Sequence, residues 1–275
     1  MALTPAQFER AAELEVSYQR WQTLLQMNAG QVRSLLTGEV SEAAAWIQSA
    51  AECGMSAAQV TLGRLLLEGH GLERDPVKAF RWFMRAADRG NAEALNMVGR
   101  CHENGWGVPV DFASAAAAYR RSAEAGYDWG QYNLGNLLFD GRGIPQDQRQ
   151  ALRLYLLAAE QGHTRAMNLL GRCLEEGWGC RPDQQAALYW YRRGAEGGYF
   201  RAQFNHALAL LQAGQYALAS QWFVRAAHGG DGNMRRAIEA VLKRTSHPAL
   251  RAALADVQAL PSSGCSRIDP IATVS

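Results

Sequence analysis

The chain repeats itself every 36 residues, and this periodicity limits its possible folds more than any other feature. Gly63 recurs as Gly99, Gly135 and Gly171 at that spacing, and four further sets of residues recur in the same phase. A fixed period of this length indicates a repeat architecture. The other members are the paired glycines Gly69/Gly71, Gly105/Gly107, Gly141/Gly143 and Gly177/Gly179, the aspartates Asp75, Asp111, Asp147 and Asp183, the alanines Ala79, Ala115, Ala151 and Ala187, and the closing glycines Gly90, Gly126, Gly162 and Gly198.

Each copy has the pattern of two helices joined by a glycine loop. Apolar residues at helical spacing, such as Leu62 and Leu66, predict a first helix, which we call helix A. The following G-x-G pair ends that helix and allows a tight turn. Asp75 before Pro76 predicts the N-cap of a second helix, helix B, and Gly90 predicts its C-terminal end. Such a hairpin cannot bury its apolar side alone, so the copies must stack.

The glycine inside helix A is an unusual choice. Glycine in a helix interior costs about 1 kcal/mol relative to alanine. Four copies nevertheless keep it, as Gly63, Gly99, Gly135 and Gly171. We therefore expect a neighbouring helix to need the space that a side chain would occupy.

The shared residues form the pattern A-x-x-x-L-G-x-L-x-x-x-G-x-G-x-x-x-D-x-x-x-A-x-x-W-(F/Y)-x-x-A-A-x-x-G. This pattern resembles the Sel-one-like (Sel1-like) repeat family, which is related to the tetratricopeptide repeat. Clear copies cover about 57–200, and weaker ones extend the resemblance to roughly 20–230. The resemblance implies an all-α fold, a right-handed α/α superhelix (solenoid) of helix hairpins with a 36-residue repeat. It implies no reaction, because architecture alone unites the family.

The phase of the repeats predicts the organisation of the chain. Residues 1–54 are expected to form an N-terminal helical cap and degenerate repeat, and 231–260 two C-terminal capping helices. Residues 261–275 are expected to be a flexible tail. The repeats should occupy 55–230, as 57–92, 93–128, 129–164, 165–200 and a shortened copy at 201–230. The helices predicted outside the clear copies are 4–28, Ser41–Cys53, Arg201–Leu211, Tyr216–Ala227, Asn233–Arg244 and Pro248–Leu260.

Composition and charge exclude several classes of partner. The formal net charge of +2 is too close to zero to favour nucleic acid or an anionic membrane. No apolar run approaches the ~20 residues that a membrane span needs. The N-terminus lacks the basic start and apolar core of a secretory signal, which predicts a cytoplasmic protein. We expect a protein or peptide partner and no small-molecule substrate.

The cysteines favour reduced thiols. Their number is odd, and Cys101 and Cys173 occupy the same repeat position. Some secreted members of the family pair two cysteines within a repeat, a pattern that this chain lacks. Cys101 next to His102 could suggest a metal site, but no C-x-x-C or H-x-x-x-H motif accompanies it. Buried apolar thiols without a metal are the favoured interpretation. The cysteines are Cys53, Cys101, Cys173, Cys180 and Cys265.

Catalytic signatures are missing from the sequence. It contains no G-x-S-x-G, no P-loop and no H-E-x-x-H motif. The G-x-G pairs lie between helices and belong to the repeat loop. We therefore predict that the protein is not an enzyme and needs no cofactor.

Variation among the helix A sequences indicates a binding surface. Counted from the helix A glycine, the small or apolar residues at positions −5, −1, 0, +2 and +3 predict the arc that packs in the stack. On the opposite arc, at positions −6, −3, −2 and +1, arginines, asparagines and aromatic residues recur. The resemblance implies that this arc lines a concave groove. Asparagine amides can pair with a peptide backbone, arginines bind carboxylates, and aromatic rings act as flat anchors. The predicted groove residues are Arg64, Asn96, Arg100, Trp129, Tyr132, Asn133, Asn136, Arg165, Asn168, Arg172 and Phe204.

Two interpretations of these arginines stay open. They could bind a ligand in the groove, or they could pair with acidic residues inside the stack and hold the helices in register. For function, we favour an adaptor or scaffold that binds a segment of a partner protein. The alternative is an inhibitor or immunity-type protein that covers the active site of a partner enzyme.

Overall fold

The structure, a computed structural model, describes residues 15–20, 22–23, 26–27 and 40–261. Between 40 and 261 the regular elements are helices without strands, and none is long and apolar enough to cross a membrane. Most of the predicted helix at 4–28 and nearly all of the predicted tail lie outside the described residues. The helices are α1 (Val40–Glu52), α2 (Ser56–Glu68), α3 (Pro76–Asp88), α4 (Ala92–Asn104), α5 (Phe112–Glu124), α6 (Asp128–Asp140), α7 (Gln148–Glu160), α8 (Thr164–Glu176), α9 (Gln184–Glu196), α10 (Phe200–Gln212), α11 (Tyr216–Gly229), α12 (Gly232–Leu242) and α13 (Pro248–Ala259).

These helices belong to two compact units. The first contains the described residues up to Gly130 together with Arg142–Ile144. The second contains Gln131–Gly141 and the described residues from Pro145 onward. In the first unit α2 packs against α3 and α4 against α5, and in the second α8 packs against α9 and α10 against α11. The predicted all-α fold of tandem helix hairpins is therefore confirmed.

The predicted helix caps are present. The Asp75 carboxylate accepts a hydrogen bond of 2.9 Å from the backbone N–H of Lys78, and this bond lowers the pKa of Asp75 below its usual range. Asp111 caps α5 in the same way, and the Ser114 hydroxyl is the main cause of its lowered pKa. Asp147 and Asp183 cap α7 and α9. Each B helix thus begins at the residue that the repeat predicts.

The glycine inside helix A faces an aromatic ring of helix B in its own hairpin. A Cβ atom on Gly99 would lie 2.5 Å from the Tyr119 ring, and one on Gly171 would lie 2.6 Å from the Tyr191 ring. Gly63 and Gly135 face Phe83 and Tyr155 in the same manner. These four rings are almost completely buried. The expectation that a neighbouring helix needs the space is confirmed, and the group that fills it is an aromatic side chain.

The second glycine of each loop has a role that the repeat pattern alone did not reveal. A Cβ atom on Gly107, whose φ is +74°, would lie 2.8 Å from the backbone nitrogen of Val77 in the first turn of α3. Gly143 meets the first turn of α5, and Gly179 meets that of α7. Each of these loops therefore packs against the start of the preceding B helix. The contact of Gly143 also explains why residues 142–144 belong to the first unit.

The A helices are buried on more sides than expected. Six consecutive residues of α4, from Ala94 to Gly99, are buried. The division of helix A into a packing arc and an open arc therefore does not hold along α4. The physical reason is that α4 packs against α3 and α5 and also contacts the neighbouring A helix α2, since Glu93 pairs with Arg64. By contrast, α3 buries one side, formed by Ala79, Phe83, Ala86 and Ala87.

Two closing helices cover the last hairpin. Both α12 and α13 pack against α11, and Ile238, Leu242 and Leu250 complete a buried cluster around Phe223. In this hairpin Ala207 occupies the position of the helix A glycine and is fully buried. The observed helices lie within two residues of the predicted bounds.

Candidate functional site

In the first unit, Arg64 is part of an ion pair between two A helices. Nη2 of Arg64 in α2 contacts Oε1 of Glu93 in α4. The two side chains are only 20% and 27% exposed. Because the pair joins neighbouring repeats, it favours the structural interpretation of this arginine.

Arg100 is also held inside the first unit. Its guanidinium lies 5.0 Å from the centre of the Trp106 ring, and Nη1 lies 4.0 Å from Sδ of Met97. Burial lowers the pKa of Arg100 below its usual range, and the nearby Glu103 carboxylate opposes this effect. The Tyr119 hydroxyl donates to Glu103 at 2.6 Å. Arg100 therefore belongs to a packed network.

The other two predicted groove residues of this unit are not freely exposed. Asn96 is 4% exposed in the middle of α4. Trp129 is half-buried in the first turn of α6. All four predicted residues of the first unit therefore contribute to its packing.

The second unit contains a cavity of about 440 Å³. Four predicted groove residues line it: Tyr132 from α6, and Arg165, Asn168 and Arg172 from α8. The first turns of α10 and the start of α12 provide the rest of the wall. Positions of two A helices, α6 and α8, thus meet at this cavity. The remaining lining residues are Leu169, Tyr199, Phe200, Arg201, Asn205 and Met234.

Hydrogen bonds and ring contacts hold the wall of this cavity in place. Nδ2 of Asn205 donates to Oδ1 of Asn168 at 2.9 Å and joins α10 to α8. The Tyr132 ring stacks on His163, with centres 4.7 Å apart. Nδ1 of His163 accepts a 3.1 Å hydrogen bond from the backbone N–H of Ala166 and caps α8. The amides and the tyrosine are therefore preorganised.

The three arginines of the cavity all lie near aromatic rings. The guanidinium carbons of Arg172, Arg201 and Arg165 lie 5.1, 5.6 and 5.8 Å from the ring centres of Trp178, Phe200 and Tyr199. Arg172 and Arg201 are exposed. Within the described part of the chain, neither has a carboxylate oxygen within 4.0 Å. The cavity wall itself contains no aspartate or glutamate.

Three predicted residues of the second unit lie outside this cavity wall. Oδ1 of Asn136 accepts a 2.9 Å hydrogen bond from the Tyr155 hydroxyl. The Phe204 ring lies 5.9 Å from that of Phe223. Asn133 is half-buried. The prediction omitted Arg201, although this residue occupies the same repeat position as Trp129 and Arg165, which the prediction used. It also omitted Tyr199 and Phe200, which directly precede that position.

Two of the four cysteines in the described segments are buried, while Cys53 is exposed and Cys180 is half-buried. Cys101 is 0% and Cys173 is 2% exposed, and burial raises the pKa of each thiol to about 12. The four cysteines of the described segments are free thiols, and Cys265 lies outside these segments. No group of three potential metal ligands occurs among the residues that the structure describes.

A family comparison matches the repeats. The model of the Sel1 repeat matches residues 38–55, 56–91, 92–127, 130–163 and 164–199. These segments cover more than half of the chain. The search of curated protein sequences finds no significant match.

Solved structures with similar folds come from several bacteria. A Sel1 repeat protein from Oxalobacter formigenes has a TM-score of 0.73 and 24% identity, with 84% of this chain and 99% of that protein covered. A protective antigen of uropathogenic Escherichia coli with an SLR fold has a TM-score of 0.67 and 27% identity. The match covers 89% of this chain and 55% of the antigen, so this chain spans about half of its length. An immunity protein from Pseudomonas aeruginosa has a TM-score of 0.50 and 17% identity, with 76% and 84% covered.

Proposed function

The chain belongs to the Sel1 repeat family, and from that premise we propose that it is a non-enzymatic adaptor or scaffold that binds a segment of a partner protein. Proteins of this family are generally interaction modules. The proposal concerns the mode of binding, in which the partner contacts the A helices of the second unit.

The observation that carries this proposal is the cavity of the second unit. Its wall combines the cations of Arg172 and Arg201, the amides of Asn168 and Asn205, and the ring of Tyr132. A peptide segment offers a partner for each of these groups, because it carries backbone amides, side-chain charges and apolar surface. Ring contacts and hydrogen bonds already hold several of them, which reduces the entropy lost on binding.

The first unit has a different role in this proposal. Arg64 is paired with Glu93, and Arg100 is half-buried, so that burial lowers its pKa. The ion pair and the burial support a structural role for both arginines, so we assign the binding of the segment to the second unit. Tyr132, Arg165, Asn168 and Arg172 are the originally predicted groove residues that the proposal retains.

The alternative is an inhibitor or immunity-type protein that covers a partner enzyme. The Pseudomonas aeruginosa immunity protein shares the fold, and at 17% identity this likeness supports the fold alone. The two functions differ in the ligand that they require. An adaptor of the proposed kind needs only a short linear segment, whereas an inhibitor needs a folded enzyme and lowers its activity.

Affinity capture from a lysate of the native host tests the proposal. The bait proteins are the wild type, the cavity variant Tyr132→Ala/Arg172→Ala, and the control Arg149→Ala/Leu157→Ala on α7, whose two residues are exposed outside the cavity. We expect the cavity variant to lose a partner that the control retains, and a short piece of that partner to suffice for binding. Equal retention by all three baits would contradict the proposal. A folded enzyme that binds only intact and loses activity would support the inhibitor instead.

A further inference from the structure

We propose that the second-unit cavity is an anion site that selects an aspartate or glutamate side chain of the bound segment, with Arg172 and Arg201 as its direct contacts. This inference rests on the proposed function and adds the chemical class of the ligand. It depends on three observations: a charge difference between equivalent positions of the two units, the exposure of two arginines, and the start of α10.

The charge difference emerges when positions two repeats apart are compared. Seven residues of the cavity wall occur 72 residues after seven residues of the first unit, and the formal charge of the set changes from −1 to +3. Such a reversal at equivalent positions indicates a use that the first unit does not share. The pairs are Glu93 and Arg165, Asn96 and Asn168, Met97 and Leu169, Arg100 and Arg172, Tyr127 and Tyr199, Asp128 and Phe200, and Trp129 and Arg201.

The ion pair of the first unit has no equivalent in the second unit. In the first unit the stack is held by an ion pair of Arg64 with Glu93. The equivalent positions in the second unit are Asn136 and Arg165, so the same pair cannot form there. Asn136 instead accepts a hydrogen bond from Tyr155. The arginine at the position of Glu93 thus replaces the acid of an internal pair.

Arg172 and Arg201 are available to a ligand. Both side chains are exposed, whereas the equivalent Arg100 is half-buried. Neither has a carboxylate within 4.0 Å in the segments that the structure describes. A planar ring lies beside each guanidinium, which limits its freedom while leaving its N–H groups able to donate. Two guanidinium groups in one cavity suit a carboxylate, which can accept several of these bonds.

The start of α10 also favours a bound anion. Phe200 and Arg201 of its first turn line the cavity, and no side chain caps this turn. By comparison, Asn91 and His163 cap α4 and α8. The first turn of a helix carries unsatisfied N–H groups and a partial positive charge, which favour a bound anion. The helix start and the two arginines therefore favour the same kind of ligand.

A peptide display experiment tests this inference. A library of random twelve-residue peptides is selected on the wild-type full chain, and the affinity of an enriched peptide is measured by fluorescence polarisation. We expect enrichment of aspartate or glutamate at one position, and at least a tenfold loss of affinity when that residue becomes asparagine or glutamine. This comparison uses unaltered protein and so does not depend on the folding of a variant.

Charge reversal then locates the contact. The variant Arg172→Glu/Arg201→Glu should bind the acidic peptide at least ten times more weakly than the wild type. The control Arg149→Glu/Arg153→Glu makes the same charge change at exposed positions of α7 outside the cavity, and its affinity should stay within about twofold. The affinity of the amide-substituted peptide should differ much less between the wild type and Arg172→Glu/Arg201→Glu than the affinity of the acidic peptide does.

The possible failures are distinguishable. Peptides that bind without any acidic preference, or that bind equally well to Arg172→Glu/Arg201→Glu, would overturn the anion site and leave the proposed function standing. If the library yields no binding peptide while a host protein is captured, the ligand is a folded surface. The proposal that the cavity binds an acidic segment is then wrong. If neither peptides nor host proteins bind, the proposed function fails and the inference fails with it.

Discussion

The ring of Tyr155 occupies the space that a side chain at Gly135 would need. A Cβ atom on Gly135 would lie 2.7 Å from Cε1 of Tyr155, and the hydroxyl of the same tyrosine donates to Asn136 at 2.9 Å. One tyrosine thus explains two neighbouring residues of helix A. Gly135 allows the ring to approach, and Asn136 satisfies the hydroxyl.

Gly135→Leu should destabilise the protein by about 1–3 kcal/mol or more, because the larger residue must displace a buried ring. The free energy of unfolding in urea measures this effect. Gly232→Ala is the matched control, since nothing lies within 4 Å of a Cβ atom at Gly232. We expect its stability to match that of the wild type within about 0.5 kcal/mol. If Gly135→Leu unfolds at the wild-type urea concentration, Tyr155 moves aside at little cost and the packing argument is wrong.

Tyr191 and Glu175 should be energetically coupled, because the Tyr191 hydroxyl donates to Glu175 at 2.7 Å. The first clear repeat has Phe83 and Leu67 at the same positions. Tyr191→Phe should cost about 1.5–3 kcal/mol. Adding Glu175→Leu reproduces the Phe83 and Leu67 pair of the first clear repeat. The double variant should therefore lose less stability than the sum of the losses in the two single variants. Strictly additive losses in a double-mutant cycle would show that this hydrogen bond contributes nothing.

Arg100 and Arg172 should respond differently to replacement by alanine, although they occupy equivalent positions. Both arginines lie beside a tryptophan, but Arg100→Ala removes a half-buried side chain and should cost about 1–2 kcal/mol. Arg172→Ala removes an exposed side chain and should cost less than about 0.5 kcal/mol. Thermal melting of the two variants makes the comparison. The reverse order of melting temperatures would identify Arg172 as the structural residue.

Stability should fall at alkaline pH because of Cys101 and Cys173. Burial raises the pKa of each thiol from 9.0 to about 12, so between these values the native state keeps protons that the unfolded state releases. The stabilisation is therefore fully present below pH 9 and is lost as the pH rises toward 12. Each thiol should contribute a slope of about 1.4 kcal/mol per pH unit.

Urea denaturation at increasing pH above neutrality measures this slope. The variant Cys101→Ala/Cys173→Ala should give a shallower decline than the wild type. The remaining decline reports buried tyrosines such as Tyr119 and Tyr191, whose pKa values are also raised by burial. Parallel pH profiles would mean that neither thiol is coupled to folding.

The fold could be predicted from this sequence because each repeat carries strong local signals. Asp75 before Pro76 fixes the start of a helix, and Gly90 with φ of +80° ends it. The repetition of these signals confirms each one independently. The aromatic partner of Gly63 was not predicted, because spacing shows that room is needed without showing which side chain fills it.

The candidate site was harder to predict. Side-chain type places Arg64, Arg100 and Arg172 in one class, yet Arg64 is paired with Glu93, Arg100 is half-buried and Arg172 is exposed. The ion pair of Arg64 depends on a residue of the next repeat, which a single repeat does not contain. Met234 illustrates the same limit, because it reaches the cavity from a closing helix that follows no repeat pattern.

The contact of Gly107 with the start of α3 has a consequence for how such a chain can evolve. A single-residue insertion in this loop would disturb two repeats at once, so lengthening by whole duplicated copies is the tolerated route. The fifth hairpin has a shortened turn at Gly214, where nothing lies within 4 Å of a Cβ atom. Its turn therefore lacks the contact that Gly107, Gly143 and Gly179 make with the preceding B helix. The length of this turn can change without disturbing the copy before it.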